Sequence, residues 1–76
     1  MTDAVKLLDV VALTVDLPEF NLRRGQVGTV VEILADGGAF EVEFSDRSGR
    51  TYESLGLRED QILVLRFEPV SGDVAA

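Results

Sequence analysis

The chain contains no cysteine and no histidine. The first absence removes disulfides, thiolate nucleophiles and cysteine metal sites together. The second removes the commonest general base and the commonest metal ligand. Positive charge is scarce as well: 7 Lys and Arg stand against 14 Asp and Glu, for a formal net charge of −7. Lys6, Arg23, Arg24, Arg47, Arg50, Arg58 and Arg66 are the whole supply. Nucleic-acid binding relies on such cations to displace counterions from phosphates, so the long-range field argues against DNA, RNA and anionic membranes. An acidic module suits a basic protein partner, although solubility accounts for the same charge equally well. No apolar run reaches membrane-spanning length, and Met1-Thr2-Asp3-Ala4 lacks the basic-then-apolar layout of an export signal. The cytoplasm is therefore the expected location.

What is present is the composition of an ordinary small globular domain, 76 residues long and 46% hydrophobic. A chain of this size fills one core and no more. We expect one domain over residues 1–68. The stretch 69–76, with Pro69, Gly72 and small residues in no periodic order, is expected to be a flexible tail.

Short β-branched runs bounded by turn residues recur along the chain. Asp9 to Thr14 reads as a first strand. Val15 to Arg24 contains Pro18 and reads as a long loop pinned to the core by Leu17, Phe20 and Leu22. Val27 to Leu34 is the strongest strand signal, with Gly28 suggesting a bulge or a sharp bend inside it. Asp36-Gly37 is the preferred dipeptide of a type I′ hairpin turn, because both central residues adopt positive φ. That turn sets a register with Ile33 opposite Phe40, Val31 opposite Val42 and Thr29 opposite Phe44. Asp46 to Arg50 forms a second tight turn, with Gly49 in the left-handed position. Thr51 to Leu57 returns as a strand, placing Tyr52 opposite Phe44 in the core. Arg58 to Gln61 suits a single helical turn. Ile62 to Phe67 is apolar on both faces and reads as a last strand covered on both sides.

Five strands, one long early loop, two tight hairpins and a helical turn before the final strand describe an all-β, five-stranded SH3-like barrel. An OB-like barrel shares the strand count but usually carries a helix between its third and fourth strands. Here that connection is only Asp46 to Arg50.

With this parity Glu32, Glu41 and Glu43 share the face of the hairpin turned away from the core, and Glu53 joins them from the next strand. Glu32 falls opposite Glu41, an arrangement that costs a few tenths to about 1 kcal/mol. Val30, Leu34 and Leu55 fall on the same face. An apolar cluster rimmed by carboxylates suits a docking site for a partner's lysines and arginines. The candidate partner-binding residues are thus Glu32, Glu41, Glu43, Glu53, Val30 and Leu55, against the plainer alternative of a solvated sheet face. No EF-hand spacing, Walker sequence, dinucleotide fingerprint or nucleophile–base pair occurs. Strand glutamates two residues apart make a poor metal cage, and a barrel this small offers no deep cleft for paired-carboxylate hydrolysis. Neither enzymatic activity nor a cofactor is expected. Arg23-Arg24-Gly25 is the one dense basic spot. Its arginines suit a phosphate or a partner carboxylate, or surface pairing with Asp16 or Glu19.

Lys6 to Leu13, Asp16-Leu17-Pro18-Glu19, Leu22 to Glu32 and Glu41-Val42-Glu43-Phe44 together resemble the small bacterial proteins of domain-of-unknown-function family 4926, over roughly Lys6 to Val64. The resemblance implies a stand-alone β-barrel without established activity. It extends to minor members of two-gene modules of toxin–inhibitor type, which implies a protein partner encoded nearby. Arg24 to Phe44 is also similar to the barrel of nitrile hydratase β-subunits, which implies a non-catalytic subunit of a larger enzyme. Gly25, Gly28 and Val30 resemble the KOW element of nucleic-acid-associated barrels. That implies a rival use of Arg23, Arg24, Arg47 and Arg50. A third arrangement pairs the chain with itself through an open edge at Asp9 to Thr14 or at the last strand, so a monomer or small homo-oligomer is expected.

Overall fold

The computed structural model describes residues 4–69. Of the expected tail, residues 70–76 lie outside the described residues. Five strands form one antiparallel sheet: β1 (Val10–Leu13), β2 (Val27–Leu34), β3 (Ala39–Ser45), β4 (Thr51–Leu57) and β5 (Ile62–Val64). Their spatial order is β4-β3-β2-β1-β5. The sheet curls into a small barrel-like fold whose inner face supplies the core. Single 3-10 turns at Pro18–Phe20 and Glu59–Gln61 interrupt the long loop and precede β5.

Both hairpin turns form as the residues dictate. Gly38 donates its amide to the Ala35 carbonyl at 3.0 Å, with Asp36 and Gly37 at φ 53° and 94° between them. Ala35 also holds a positive φ, 50°, which an L side chain tolerates poorly. At the other hairpin Gly49 takes φ 82° and donates to the Asp46 carbonyl. The Asp46 carboxylate accepts from the amides of Ser48 and Arg50, holding the turn shut from within.

The register departs from expectation at one residue. Near the turn it is as expected, with Ile33 opposite Phe40 and Glu32 opposite Glu41. A β-bulge then takes up Val31, so that Val30, not Val31, faces Val42 and Gly28, not Thr29, faces Phe44. Val30 is accordingly 0% exposed and Val31 is exposed. The Val30 amide donates to the Asp9 carbonyl and its carbonyl accepts from the Leu8 amide, which locks its backbone to the segment before β1. Gly28 is not the bulge. It pairs with Val11 on one side and Phe44 on the other, and a Cβ there would lie 2.7 Å from Val42 Cγ1 and 2.8 Å from the Glu43 carbonyl oxygen.

The core comprises Val5, Val11, Leu13, Leu22, Val30, Phe40, Val42, Phe44, Leu57 and Ile62. Phe40, Val42 and Phe44 point inward as their alternation requires. Ile33 shares their side of the ladder but lies at the sheet's end, 45% exposed. The long loop is pinned by Leu22 and Leu17, which bridge to each other, while Phe20 is exposed. Tyr52 is not a core residue: a second bulge between Phe44 and Ser45 displaces it, and its hydroxyl accepts from Gln26 Nε2 at 2.9 Å. The last strand stops at Val64 and pairs, among the described residues, with β1 alone; it is not covered on both faces, since Leu63 is 59% exposed, and Phe67, beyond the strand, is 78% exposed. β1 is interior to the sheet and offers no edge for self-pairing.

Gly28→Ala should cost roughly 1–3 kcal/mol of stability in urea denaturation, because its new methyl meets backbone as well as side chain. Ala35→Gly should raise stability by about 0.5–1 kcal/mol, the relieved φ strain exceeding glycine's added chain entropy. A loss at position 35 would contradict the turn geometry.

Candidate docking surface

Directly paired residues put their side chains on the same face of a sheet. From the ladder partners, the outer face runs from Ser54 and Gly56 on β4 across Ala39, Glu41 and Glu43 on β3. It continues over Val27, Thr29, Glu32 and Leu34 on β2, Val10 and Ala12 on β1, and Leu63 on β5. Glu32, Glu41 and Glu43 do share this face, as their spacing implies, and Glu32 is paired squarely with Glu41. Glu41 Oε2 accepts a hydrogen bond from Ser54 Oγ at 2.7 Å. Glu43 stands half-buried between Thr29 and Ser54. Leu34 reaches over the same surface to within 3.6 Å of the position a Gly56 Cβ would take.

Three of the expected site residues do not belong to it. Val30 is turned into the core by the Val31 bulge. Leu55 lies opposite Val42 and packs half-buried against the core. Glu53 lies opposite Phe44, on the core side of β4, because the second bulge shifts the register by one. In their place the face carries aliphatics that the expected parity hid. Val27 and Leu63 are exposed there and Val10 and Ala12 half-exposed, which gives an apolar zone over β1 and β5 beside the acidic zone over β2 and β3. The signal that would have found them is the need to bury Val30 next to Val42. Accepting one extra residue in β2 turns Val27 and Thr29 outward.

Arg58 pairs with Asp60 at 3.0 Å on the surface, where both side chains are exposed. None of Glu32, Glu41, Glu43 and Glu53 has a lysine or arginine partner among the described residues. Among the described residues no cluster of carboxylates is arranged to hold a metal ion, and no helix is long and apolar enough to cross a membrane. The surface sets a plane of negative charge beside exposed hydrocarbon.

The long loop with Arg23 and Arg24 and the second hairpin turn with Arg47 and Arg50 lie at the same end of the sheet. Gln26, whose carboxamide oxygen accepts from the Arg23 amide, donates to Tyr52 just beyond the Asp46–Arg50 turn. The Asp16 carboxylate accepts the Arg24 backbone amide at 2.8 Å, so it fixes the loop and forms no ion pair with either guanidinium.

The family model described as domain of unknown function (DUF4926) matches residues 7–64. The chain belongs to this family. The match runs from the segment before β1 to the end of β5, so it spans the whole sheet of this DUF4926 domain. Searches of curated proteins and of solved structures each return no match, and the similarity to the nitrile hydratase barrel is not shown by them.

Glu32→Gln should raise stability by a few tenths of a kcal/mol in low salt by removing the Glu32–Glu41 repulsion. The gain should shrink as salt is added, since exposed charges are screened. Urea melts at two ionic strengths check both signs.

Proposed function

We propose that this DUF4926 protein is a non-catalytic accessory or inhibitor module, antitoxin-like in role, that docks on a basic protein partner. The observation that supports it is the outer face itself. Three carboxylates on adjacent strands have no lysine or arginine partner among the described residues, and Val27 and Leu63 leave hydrocarbon open beside them. Free, such a face carries the cost of facing like charges; under a cationic partner that cost becomes attraction, and the aliphatic zone adds buried area. With no histidine or cysteine in the chain, an imidazole base or a thiolate nucleophile would have to come from the partner.

Co-purification with the product of the adjacent gene tests this. The wild-type chain should form a complex that weakens with added salt. Glu32→Lys, Glu41→Lys and Glu43→Lys combined should weaken it by at least about a hundredfold, since each reversal turns attraction into repulsion. A complex that survives the triple change unweakened would rule this face out.

One observation favours a second reading, a KOW-like nucleic-acid barrel. Arg23, Arg24, Arg47 and Arg50 stand on loops at the same end of the sheet, and none of them forms an ion pair among the described residues. Filter binding to short RNA and DNA in low salt decides it. On the docking-module reading nothing is retained; retention that falls steeply with salt would favour the rival.

A further inference from the structure

β4 lies at one end of the strand order and pairs with β3 alone. Its seven residues, Thr51–Leu57, take no part in the other backbone hydrogen bonds among the described residues. One whole row of its N–H and C=O groups is therefore open. The opposite edge, β5, is three residues long. An open edge of β4's length templates another strand unless the chain blocks it, commonly with lysine, proline or a charge pointed inward. β4 has neither lysine nor proline, but it does have the inward charge. Glu53 lies opposite Phe44 on the core side, half-buried and without a cationic partner among the described residues.

That charge filters what can be added. A strand laid along the free edge puts the residue opposite Glu53 on the same side as Glu53. An apolar residue there seals a carboxylate against the core rim without compensation; a lysine or arginine neutralises it. On the other face Gly56 has no side chain to cover its ladder partner Glu41: a Cβ at that position would stand 3.6 Å from Leu34 Cδ1 and 3.9 Å from Glu41 Oε1, so a long side chain on an added strand reaches the Glu41 carboxylate alongside Leu34. A residue opposite Gly56 is three positions from the one opposite Glu53. The side chains at those two positions point to opposite faces, because three is odd. The edge thus asks for a particular spacing: two cations three residues apart, one toward Glu53 and one across Gly56 toward Glu41.

We propose that β4 receives an extended basic segment of the partner protein as a sixth strand, read by Glu53 on the inner side and Glu41 on the outer. This deepens the docking-module reading and rests on it, since it names where on that acidic surface the partner's chain runs. It also gives Glu53 a role apart from the outer face: the residue refuses apolar strands, and with them self-aggregation through the edge.

The test is amide hydrogen exchange by NMR on the full chain, with a short synthetic Thr/Val peptide carrying two arginines three residues apart. The control is the same peptide with glutamine at both positions. Bound peptide should slow exchange about tenfold or more at alternate amides within Thr51–Leu57 and leave Ile62–Val64 unchanged. Glu53→Gln should weaken binding roughly tenfold, and the glutamine peptide should bind at least as poorly. Binding that needs Glu32, Glu41 and Glu43 but leaves β4 exchange unaltered overturns the added strand and spares the docking face. Equal affinity for the glutamine peptide, or unchanged affinity in Glu53→Gln, overturns the charge-read edge. Concentration-dependent protection of β4 with no peptide present makes a second copy the occupant and overturns the proposal. Absence of any binding in low salt overturns it too, while the co-purification above still decides the docking face independently.

Discussion

A single extra residue in β2 divides the inside of this protein from its outside. On the turn side of Val31 the hairpin follows the parity set by Asp36-Gly37; on the far side every residue of β2 is turned over. That reversal seats Val30 against Val42 and brings Gly28 under Phe44. It also lets β2 pair with β1 so that Val11 joins the core in line with Gly28. Without the bulge, Val30 would face water and Val31 would compete for its place. A bulge of this kind also increases local twist and bends its strand, which a sheet of so few strands needs in order to curl over a core.

The same device shapes the outer surface. Because β3 keeps strict alternation, Glu41 and Glu43 stay outside throughout, and Glu32 joins them from the turn side of the bulge. Beyond it Thr29 and Val27 come outward, continuous with Val10, Ala12 and Leu63. Acidic and aliphatic zones therefore adjoin because one strand changes phase between them. The second bulge has a comparable effect on β4: it releases Tyr52 to the surface and turns Glu53 toward the core rim.

Much of the architecture was legible in the residues, for physical reasons that can be named. Asp36-Gly37 and Gly49 are positions where positive φ is needed, so the hairpins and the bounds of β2 and β4 followed from turn chemistry. Phe40, Val42 and Phe44 alternate with glutamates, and so β3 could be oriented without ambiguity. The bulge was hidden because Val30 and Val31 are both β-branched and apolar; either parity satisfies the pattern. Gly28 attracted the bulge in the sequence reading, whereas its real constraint is the approach of Phe44 and the Glu43 backbone, a contact between distant residues that no local pattern encodes. The last strand misled in another way. Ile62 to Leu65 is apolar at every position, as a doubly covered strand would be, but β5 is the terminal strand of the sheet among the described residues and Leu63 is exposed on its outer face. Val5, in a head segment of ambiguous pattern, entered the core unannounced.

The candidate surface was correspondingly half legible. Glu32, Glu41 and Glu43 depended only on the turn and on β3, and they stand where expected; Val30, Leu55 and Glu53 depended on registers beyond a bulge, and they do not. The phase change at Val31 is the claim on which core and surface both rest, and paired substitutions test it most directly. Urea denaturation of Val30→Ala and Val31→Ala should show a loss of roughly 2 kcal/mol at position 30 and well under about 1 kcal/mol at position 31. Equal losses, or the larger loss at position 31, would contradict the account.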